Sequence, residues 1–265
     1  MMRIALGLEY AGGRYCGWQT QDNRGAVQDY LESALSQIAD HRVATLCAGR
    51  TDTGVHALAQ VVHFDTEVER PDSAWVRGVN ALLPPDIAVT WMRRVDERFH
   101  ARFSARARHY TYVLLNHPVR EAIDYGRVGW FHRPLNVSDM RLAAEHLLGK
   151  QDFSAFRSSQ CQAKTALREL SQLALHWQAP YLYFDFTANA FLHHMVRNIV
   201  GALVYVGKGK YEPDWVKGLL AQKDRRLSAP TFEAAGLYLI GVDYDWQWSP
   251  TLDERVKYPR MNASR

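Results

Sequence analysis

The sequence predicts an α+β protein made of two similar halves, and three observations lead to this prediction. The 265-residue chain is 47% apolar, which is enough for one large core or two medium-sized ones. Stretches in which every second residue is apolar, as in strands, alternate with stretches of apolar residues at helical spacing. This order of strands and helices occurs twice along the chain, although the two halves share no repeat at the level of residues.

In the first half, residues 3–10 alternate between apolar and other side chains and predict a strand with one buried face. Apolar positions between Val27 and Ile38 recur at helical spacing and predict an amphipathic helix. The other predicted elements of this half are strands at 42–48 and 58–65, a short helix at 73–83 that Pro84 and Pro85 end, and a strand at 87–93. The order β-α-β-β-α-β is that of the split βαβ, or ferredoxin-like, unit.

A similar order follows in the second half. Its predicted elements are a strand at 109–116, a helix that Ser138 caps and that runs to Leu148, a hairpin of 170–177 and 181–187, a helix at 193–206 and a strand at 237–244. We therefore predict an N-terminal half of residues 1–104, a C-terminal half of residues 105–245 and a loosely packed tail of residues 246–265. We expect the antiparallel sheets of the two ferredoxin-like halves to meet around a central basic cleft.

Charge and cysteine content limit the function classes. The formal net charge is +4, and six arginines stand between residues 93 and 108 against Asp96 and Glu97. Such a patch attracts a polyanion, although a basic stretch is more often a solvated face. The three cysteines form no CxxC pair, which argues against a disulfide framework or a zinc site and favours a cytoplasmic protein. The sequence has no apolar run of membrane-spanning length and no N-terminal signal core, so we expect no membrane partner.

The segment of residues 47–64 is the first candidate for a functional site. A polar loop bounded by Gly49 and Gly54 holds Asp52 at its middle, with Arg50 two residues before it. Glycine adopts backbone angles closed to other residues, so a loop between two glycines can expose one chosen side chain. An isolated aspartate in such a turn more often bonds only to local backbone. Asp-Thr-Gly also occurs in aspartic proteases, but these need two carboxylates that share a proton, and the sequence has no second such triplet.

The predicted helix at 193–206 is the second candidate. Apolar side chains cover most of its circumference, and one narrow stripe is made of His194, Arg197, Asn198 and Gly201. An unpaired buried guanidinium is very costly, so Arg197 needs a partner if the helix is buried. Two interpretations stay open: Arg197 lies in a structural ion pair or at a surface edge, or it pairs with Asp52.

Several blocks of the sequence occur in the order typical of one family. They are Gly17-Trp18-Gln19, the run Gly-Arg-Thr-Asp-Thr-Gly-Val-His at 49–56, and the segments 79–84, 99–105, 191–201 and 236–239. On these blocks nearly the whole chain resembles the A class of bacterial tRNA pseudouridine synthases, the TruA family. The block around Asp52 is fairly specific by itself, and several blocks in the same order make a chance resemblance improbable.

The resemblance implies the isomerisation of uridine to pseudouridine in the anticodon stem-loop of tRNA, at tRNA positions 38–40. The reaction breaks the N-glycosidic bond, turns the uracil and joins its C5 to the sugar C1′, so no redox change occurs and no cofactor is needed. This agrees with a sequence that has no Walker loop, dinucleotide-binding fingerprint or metal-ligand cluster. The resemblance further implies that Asp52 is the catalytic nucleophile or base and that Arg197 holds Asp52 ionised and oriented.

The resemblance also implies substrate-binding residues. Tyr110 would stack on the target uracil, although strand tyrosines are more often core or cross-strand aromatics. Leu237 would lie near the base, although burial in the last strand explains this residue equally well. Arg50 would occupy the space that the flipped nucleotide leaves, and the phosphates would be held by Arg102, Arg106 and Arg108.

By the same resemblance the protein would be a homodimer that grips one tRNA with both subunits. Two other classes remain open on the sequence: a non-catalytic RNA-binding protein with the same sheets, and an aspartic-type hydrolase. A carboxylate coupled to a buried arginine favours an enzyme over a mere RNA-binding protein.

Overall fold

The computed structural model describes residues 1–22 and 25–245 and separates into two compact units. Of the described residues, the first unit contains Met1–Arg108 and 238–245, and the second contains His109–Leu237. Within the described residues there are five α-helices and ten strands, which confirms the predicted α+β class. No helix in these residues is long and apolar enough to span a membrane.

The first unit is built around a central strand. Its elements are β1 (Met2–Tyr10), α1 (Val27–Ala39), β2 (Leu46–Cys47), β3 (His56–Thr66), α2 (Val79–Leu82), β4 (Ile87–Val95) and β10 (Leu237–Asp243). Strand β1 pairs antiparallel with β3 on one side and with β4 on the other. Strand β2 pairs antiparallel with β3, and β10 pairs parallel with the start of β3, where Tyr238 lies opposite His56.

Both faces of β1 are buried, whereas its alternation predicts one buried face. Ile4, Leu6 and Leu8 are fully buried on one face. On the other face Ala5 belongs to a buried cluster with Ala48, Val61, Phe99, Ala101 and Tyr244. The residues between the large apolar ones are small, and this leaves room for a second layer of side chains: a Cβ on Gly7 would lie only 1.9 Å from Nε1 of Trp91.

The second unit contains the remaining strands and helices. They are β5 (Ala107–Asn116), β6 (Gly129–Phe131), α3 (Val137–Glu145), β7 (Gly149–Asp152), β8 (Leu167–Gln178), β9 (Tyr181–Ala188), α4 (Met195–Gly207) and α5 (Trp215–Gln222). The strand order is β5-β9-β8-β7, and β6 pairs parallel with β5. Helix α3 packs against α4, α5 and β8. Nearly every residue of α4 is buried, as its apolar circumference predicts.

Two helix starts differ from the prediction. Asn136, not Ser138, caps α3: its Oδ1 accepts hydrogen bonds from the backbone N–H groups of Ser138 and Asp139 at 3.1 and 3.2 Å. Ser138 therefore lies inside the first turn, and the helix ends at Glu145, before Leu148. Helix α4 begins at Met195 because His194 has a φ of 63°, which lies outside the helical region.

Other elements also differ from their predictions. Of the strand expected at 42–48 only Leu46–Cys47 forms a ladder, and the helix expected at 73–83 is a π-helical turn, Ala74–Gly78, followed by α2. The sequence did not predict β6, β7 or α5. Residues 238–245 were predicted to belong to the C-terminal half of residues 105–245, but they group with the first unit because β10 pairs with β3. The predicted tail, 246–265, lies outside the described residues.

Candidate active site

Asp52 lies in a loop between β2 and β3, here called the Asp52 loop (residues 48–55). Its side chain is half-buried, whereas the preceding Thr51 is buried and Arg50 is exposed. The backbone N–H of Val55 donates to the Asp52 carbonyl at 3.1 Å, and Gly54 takes a φ of +81° within this turn. The turn therefore uses the conformational freedom that the sequence analysis assigned to Gly54.

Thr51 ties the loop to the first strand and to the segment that follows it. Its Oγ1 lies 2.7 Å from the hydroxyl of Tyr10 at the end of β1. Its carbonyl accepts a hydrogen bond of 3.0 Å from the backbone N–H of Trp18. Tyr10 and Trp18 are themselves buried, so the residue next to Asp52 is held on both its side chain and its backbone.

Two glycines let the backbone of residues 12–17 approach the Asp52 loop closely. Gly17 has a φ of +82°, and a Cβ built on it would lie 2.7 Å from the Thr51 carbonyl oxygen and 3.0 Å from the Asp52 carbonyl carbon. A Cβ on Gly12 would lie 1.9 Å from the carbonyl oxygen of Val55. Both neighbours are backbone atoms, which cannot move aside as a flexible side chain can. Only glycine fits at these two positions without displacing the loop.

Gln60 supports the Asp52 loop through hydrogen bonds, and the sequence patterns did not identify it as a candidate residue. It is fully buried in β3, and its Nε2 donates to the Gly49 carbonyl at 2.6 Å and to the Tyr10 hydroxyl at 3.4 Å. Its Oε1 accepts from the backbone N–H of Val61 at 3.2 Å. The available signal was a single amide within the otherwise apolar run 57–62, because a buried amide needs partners.

His56 closes the other end of the loop. Its Nδ1 accepts a hydrogen bond of 3.0 Å from the backbone N–H of Gly12, and its ring stacks on that of Tyr238 with centroids 4.7 Å apart. These contacts account for the burial of His56.

Positive charge lies beside the loop. Burial raises the pKa of the Cys47 thiol to about 12, and the nearby guanidinium groups of Arg50 and Arg102 act in the opposite direction. Arg102 is exposed, with its guanidinium carbon 5.5 Å from the ring centroid of Phe103, which is itself 76% exposed. Arg50, predicted to fill the space of the flipped nucleotide, and Arg102, predicted to bind a phosphate, therefore both lie near Cys47 on the accessible surface of the first unit.

The other two predicted RNA-binding arginines have different surroundings. Arg106 is exposed, and its Nε lies 2.5 Å from a carboxylate oxygen of Asp245. Arg108 is buried and donates to the backbone carbonyls of Ala48, Ala105 and Arg102 at 2.5–3.3 Å. A direct phosphate contact by Arg108 would require its guanidinium to leave these carbonyls. Its geometry instead fixes the start of the Asp52 loop.

In the second unit, Arg197 belongs to a stripe of α4 that faces the segment before β10. This Arg197 stripe consists of Arg197, Asn198 and Gly201. The Arg197 Nε donates to the carbonyl of Phe232 at 2.9 Å. A Cβ on Gly201 would lie 2.3 Å from the carbonyl oxygen of Pro230. Three residues of the predicted polar stripe thus lie where α4 meets residues 229–232, whereas the fourth, His194, precedes the helix.

Asn198 is the buried centre of the Arg197 stripe. It is fully buried; its Nδ2 donates to the Phe156 carbonyl at 2.8 Å, and its Oδ1 accepts from Thr231 at 2.7 Å and from Arg225 at 3.0 Å. Every hydrogen-bonding direction of the amide is occupied except one N–H. The segment that follows α5 is therefore fixed against α4 by side chains.

The predicted base-binding residues are both buried. Tyr110 in β5 is 7% exposed, and its ring meets that of Phe191 edge to face with centroids 5.0 Å apart. Leu237 is 5% exposed, and its backbone N–H donates to the Ala234 carbonyl at 2.9 Å. Tyr112, the second tyrosine of β5, is fully buried and donates to the Glu233 carbonyl at 2.9 Å, so it is a core residue.

The sequence was also compared with known proteins. The sequence model of the family described as tRNA pseudouridine synthase matches residues 8–104 and 143–245. The tRNA pseudouridine synthase A of Methylobacillus flagellatus is 56% identical over 254 residues, covering 96% of this chain and 97% of that protein. That of Chromobacterium violaceum is 57% identical over 261 residues, covering 98% and 99%. That of Nitrosomonas eutropha is 56% identical over 253 residues, covering 95% and 91%. Over nearly its whole length, the chain thus belongs to the tRNA pseudouridine synthases, a family of isomerases.

Proposed function

We propose that this protein isomerises uridine to pseudouridine in the anticodon stem-loop of tRNA, at tRNA positions 38–40, with Asp52 as catalytic nucleophile or base. The observation that carries the proposal is the Asp52 loop, in a chain of this family. The half-buried carboxylate of Asp52 is carried by a loop whose backbone is held in place by close contacts with Gly12 and Gly17 and by a hydrogen bond from Gln60. Such fixed geometry is what a reacting group needs, because a displacement of about 1 Å costs roughly 100-fold in rate.

The proposed reaction conserves all atoms of the nucleotide. The bond between N1 of uracil and C1′ of the sugar breaks, the uracil turns, and C5 forms the new bond to C1′. C5 then gives up a proton and N1 carries one. A carboxylate suits either step, because it can add covalently to an electrophilic carbon or accept a proton. The reaction has no redox step, so we propose no cofactor.

In this proposal Arg197 holds the Asp52 carboxylate ionised and in the reactive orientation. The Arg197 guanidinium is anchored through Nε to the Phe232 carbonyl, and an anchored guanidinium is a better orienting group than a mobile one. Tyr110 stacks on the target uracil, with its own ring oriented by Phe191. Leu237 supplies an apolar contact near the base.

The arginines of the first unit have different parts in RNA binding. Arg50 is exposed two residues before Asp52, so we assign it to the space that the flipped uridine leaves in the stem. Arg102 and Arg106 contact phosphates, the latter after exchanging Asp245 for RNA. Arg108, predicted from the resemblance to bind RNA, acts mainly by holding the carbonyl of Ala48.

The wider architecture is also proposed from the family. Each unit would be a version of the split βαβ fold, with a basic cleft between sheets, and two chains would form a homodimer in the cytoplasm. In the first unit the neighbours β4-β1-β3, with β2 on β3, support this assignment.

The test is to incubate the protein with an unmodified tRNA transcript and to map pseudouridine along it. We expect pseudouridine at positions 38–40 with the wild type, and no turnover with Asp52→Asn or Asp52→Ala, although both variants still bind tRNA. Asp96→Asn is the matched control, because Asp96 is an exposed aspartate of the same unit that pairs with Arg98.

Appreciable turnover by Asp52→Asn would remove Asp52 from the chemistry. Binding of tRNA by the wild type without any pseudouridine would instead favour a non-catalytic RNA-binding protein. Cleavage of a peptide substrate would favour the aspartic-type hydrolase.

A further inference from the structure

The second unit has a cavity of about 550 Å³ to which the proposed function assigns no role. Its walls come from the ends of β5 and β8 and from the start of α3, and they include His117, His132, Arg141 and Trp177. The volume lies within the roughly 300–1,000 Å³ typical of small-ligand sites. None of the described lining residues carries a carboxylate, so the walls are neutral or positive.

Arg141 and Trp177 both line this cavity. The guanidinium of Arg141 donates through Nε and Nη2 to the carbonyl of Leu175 at 3.2 and 3.0 Å. Leu175 and Trp177 are two residues apart in β8 and so lie on the same face of the strand. The indole of Trp177 is 45% exposed. A fixed guanidinium and a partly exposed Trp in one cavity can bind a phosphate and stack a base.

A cluster of positive charge adjoins the cavity. Arg133 follows the lining residue His132, and the end of α4 meets the same wall, because the Asn136 N–H donates to the Gly207 carbonyl at 2.7 Å. Burial, and then the charges of Lys210 and Arg133, lower the pKa of Lys208. Lys210 and Arg133 are thus each close enough to Lys208 to repel it, and a polyanion would relieve that repulsion.

The lysines lie on aromatic rings. The Lys208 Nζ is 3.6 Å from the ring centroid of Tyr205, and the Lys210 Nζ is 4.6 Å from the same ring and 5.2 Å from that of Tyr211. Tyr211 is 37% exposed and stacks on Trp215 at 4.0 Å. Cations on rings are restrained in position, and exposed rings interleaved with cations are typical of surfaces that bind single-stranded nucleic acid.

Several acids lie near this cluster, but none of them lines the cavity. Asp139 accepts a hydrogen bond of 2.7 Å from Asn136 Nδ2, and Asp214 pairs with His146. Glu212 is an exposed acid within the segment that joins α4 to α5. Together with the exposed Glu145, one helical turn after Arg141, these acids equal Arg133, Arg141, Lys208 and Lys210 in number, so the positive charge is local to the cavity wall and to the two lysines.

We propose that this surface, which we call the α3–α4 face (Arg133, Arg141, Trp177, Lys208, Lys210 and Tyr211), is a second RNA-binding site that holds an unpaired nucleotide of the tRNA outside the anticodon stem-loop. The base stacks on Trp177, and Arg141 and the two lysines bind the flanking phosphates. Ten residues of α4 separate Arg197 from Gly207, a span of about 15 Å at 1.5 Å per residue. The α3–α4 face therefore lies at the opposite end of α4 from the residue assigned to the uridine.

The inference rests on the proposed tRNA substrate, and its test compares a full-length tRNA transcript with a stem-loop RNA of the anticodon arm alone. Trp177→Ala should raise KM for the full-length tRNA about 10-fold, the size expected for a lost base–aromatic stack. It should leave kcat, and both constants for the stem-loop RNA, unchanged. Trp177→Phe should restore most of the affinity. Leu167→Ala is the control, because Leu167 is 50% exposed on the same strand.

A second experiment measures binding without catalysis, in the Asp52→Asn background. Lys208→Ala with Lys210→Ala should reduce the slope of log affinity against log salt by about 2 for full-length tRNA, since each lost phosphate contact contributes about 1. Lys150→Ala with Lys164→Ala is the control pair of exposed lysines in the same unit. Thermal melting of each variant shows whether it is folded.

The proposal is overturned if Trp177→Ala binds full-length tRNA as tightly as the wild type, or if it weakens the stem-loop RNA equally. Unchanged RNA affinity in all these folded variants would show that the α3–α4 face does not bind RNA, and would favour a protein partner for it. If the wild type makes no pseudouridine at all, the proposed function fails, while the binding experiment still tests this site.

Discussion

The Asp52 loop in the first unit and the Arg197 stripe in the second both present one charged side chain on a buried support, but the supports differ in kind. The loop is irregular backbone, and its support is the backbone of residues 12–17 together with the amide of Gln60. The stripe lies on a regular helix, and its support is a side-chain network centred on Asn198.

The difference shows what each geometry requires. A helix satisfies its own backbone hydrogen bonds, so a polar stripe needs partners only for its side chains. A loop satisfies few of its own, and its N–H and C=O groups must find partners elsewhere. We therefore expect the Asp52 loop to be the more sensitive of the two, above all to changes that move backbone.

The largest effect is expected from Gly12→Ala. The new Cβ would lie 1.9 Å from the Val55 carbonyl oxygen, so the loop must move. Unfolding measurements should show a free energy of unfolding lower by about 1–3 kcal/mol, toward the upper end, and kcat should fall roughly 100-fold. The matched control is Gly13→Ala, where a Cβ meets no atom within 4 Å. Equal activity of Gly12→Ala and Gly13→Ala would contradict the expectation that the Asp52 loop is sensitive to displacement of its backbone.

The two supports can be compared directly with Gln60→Ala and Asn198→Ala. Each variant leaves buried backbone or side-chain groups without their partner, which costs about 1–3 kcal/mol of stability. Because Gln60 holds the loop backbone at Gly49, its loss should lower kcat several-fold more than the loss of Asn198 does. Urea unfolding and single-turnover rates measure the two effects. A larger fall in kcat for Asn198→Ala would reverse the ranking.

A smaller effect concerns pH and the first unit. Burial first, and then the charges of His100 and Arg3, lower the pKa of His63 from 6.5 to about 4, and its Nδ1 accepts from the backbone N–H of Ala101. The unfolded chain binds this proton at a higher pH than the folded chain does. The free energy of unfolding should therefore fall as pH falls from about 6.5 to 4.

His63→Gln should remove this part of the pH dependence, while His41→Gln, at an exposed position, should retain it. Urea unfolding at several pH values measures the slope. The same slope in wild type and His63→Gln would mean that other groups cause the dependence. The result also sharpens the enzyme assay, because it separates activity lost through unfolding from activity lost through the chemistry.

The smallest effect is expected from Arg106→Ala, which removes an exposed ion pair with Asp245. Exposed pairs contribute little because water and salt screen them, so the melting temperature should not change measurably. If Arg106 contacts a phosphate, the salt slope of tRNA binding should fall by about 1. Arg98→Ala, which removes another exposed pair, serves as the control. Identical salt slopes for both variants would take Arg106 out of the RNA contact.

Sequence patterns were informative where one residue type determines local structure. The turn at Gly54 beside Asp52 and the apolar circumference of α4 have the expected form, and β1 is a strand as predicted, although both of its faces are buried. The blocks shared with the family also led to the correct family.

The patterns were uninformative where a contact joins distant parts of the chain. The burial of Gln60 and Arg108 depends on carbonyls that lie 11 and 60 residues away in sequence. The pairing of β10 with β3 cannot be found from periodicity, because a strand's pattern does not name its neighbour. Helix α5 has only eight residues, too few for a clear helical period.

The late position of β10 in the sequence affects how the first unit forms during translation. The first unit is discontinuous, since its strand β3 receives β10 beside His56 and Ala57 only after the whole second unit. During translation this stretch of strand edge stays open until residue 239 has left the ribosome, and an open edge invites pairing with another chain. Chains cut short before residue 237 should therefore be prone to aggregation, and they lack the stacking of Tyr238 on His56 beside the Asp52 loop.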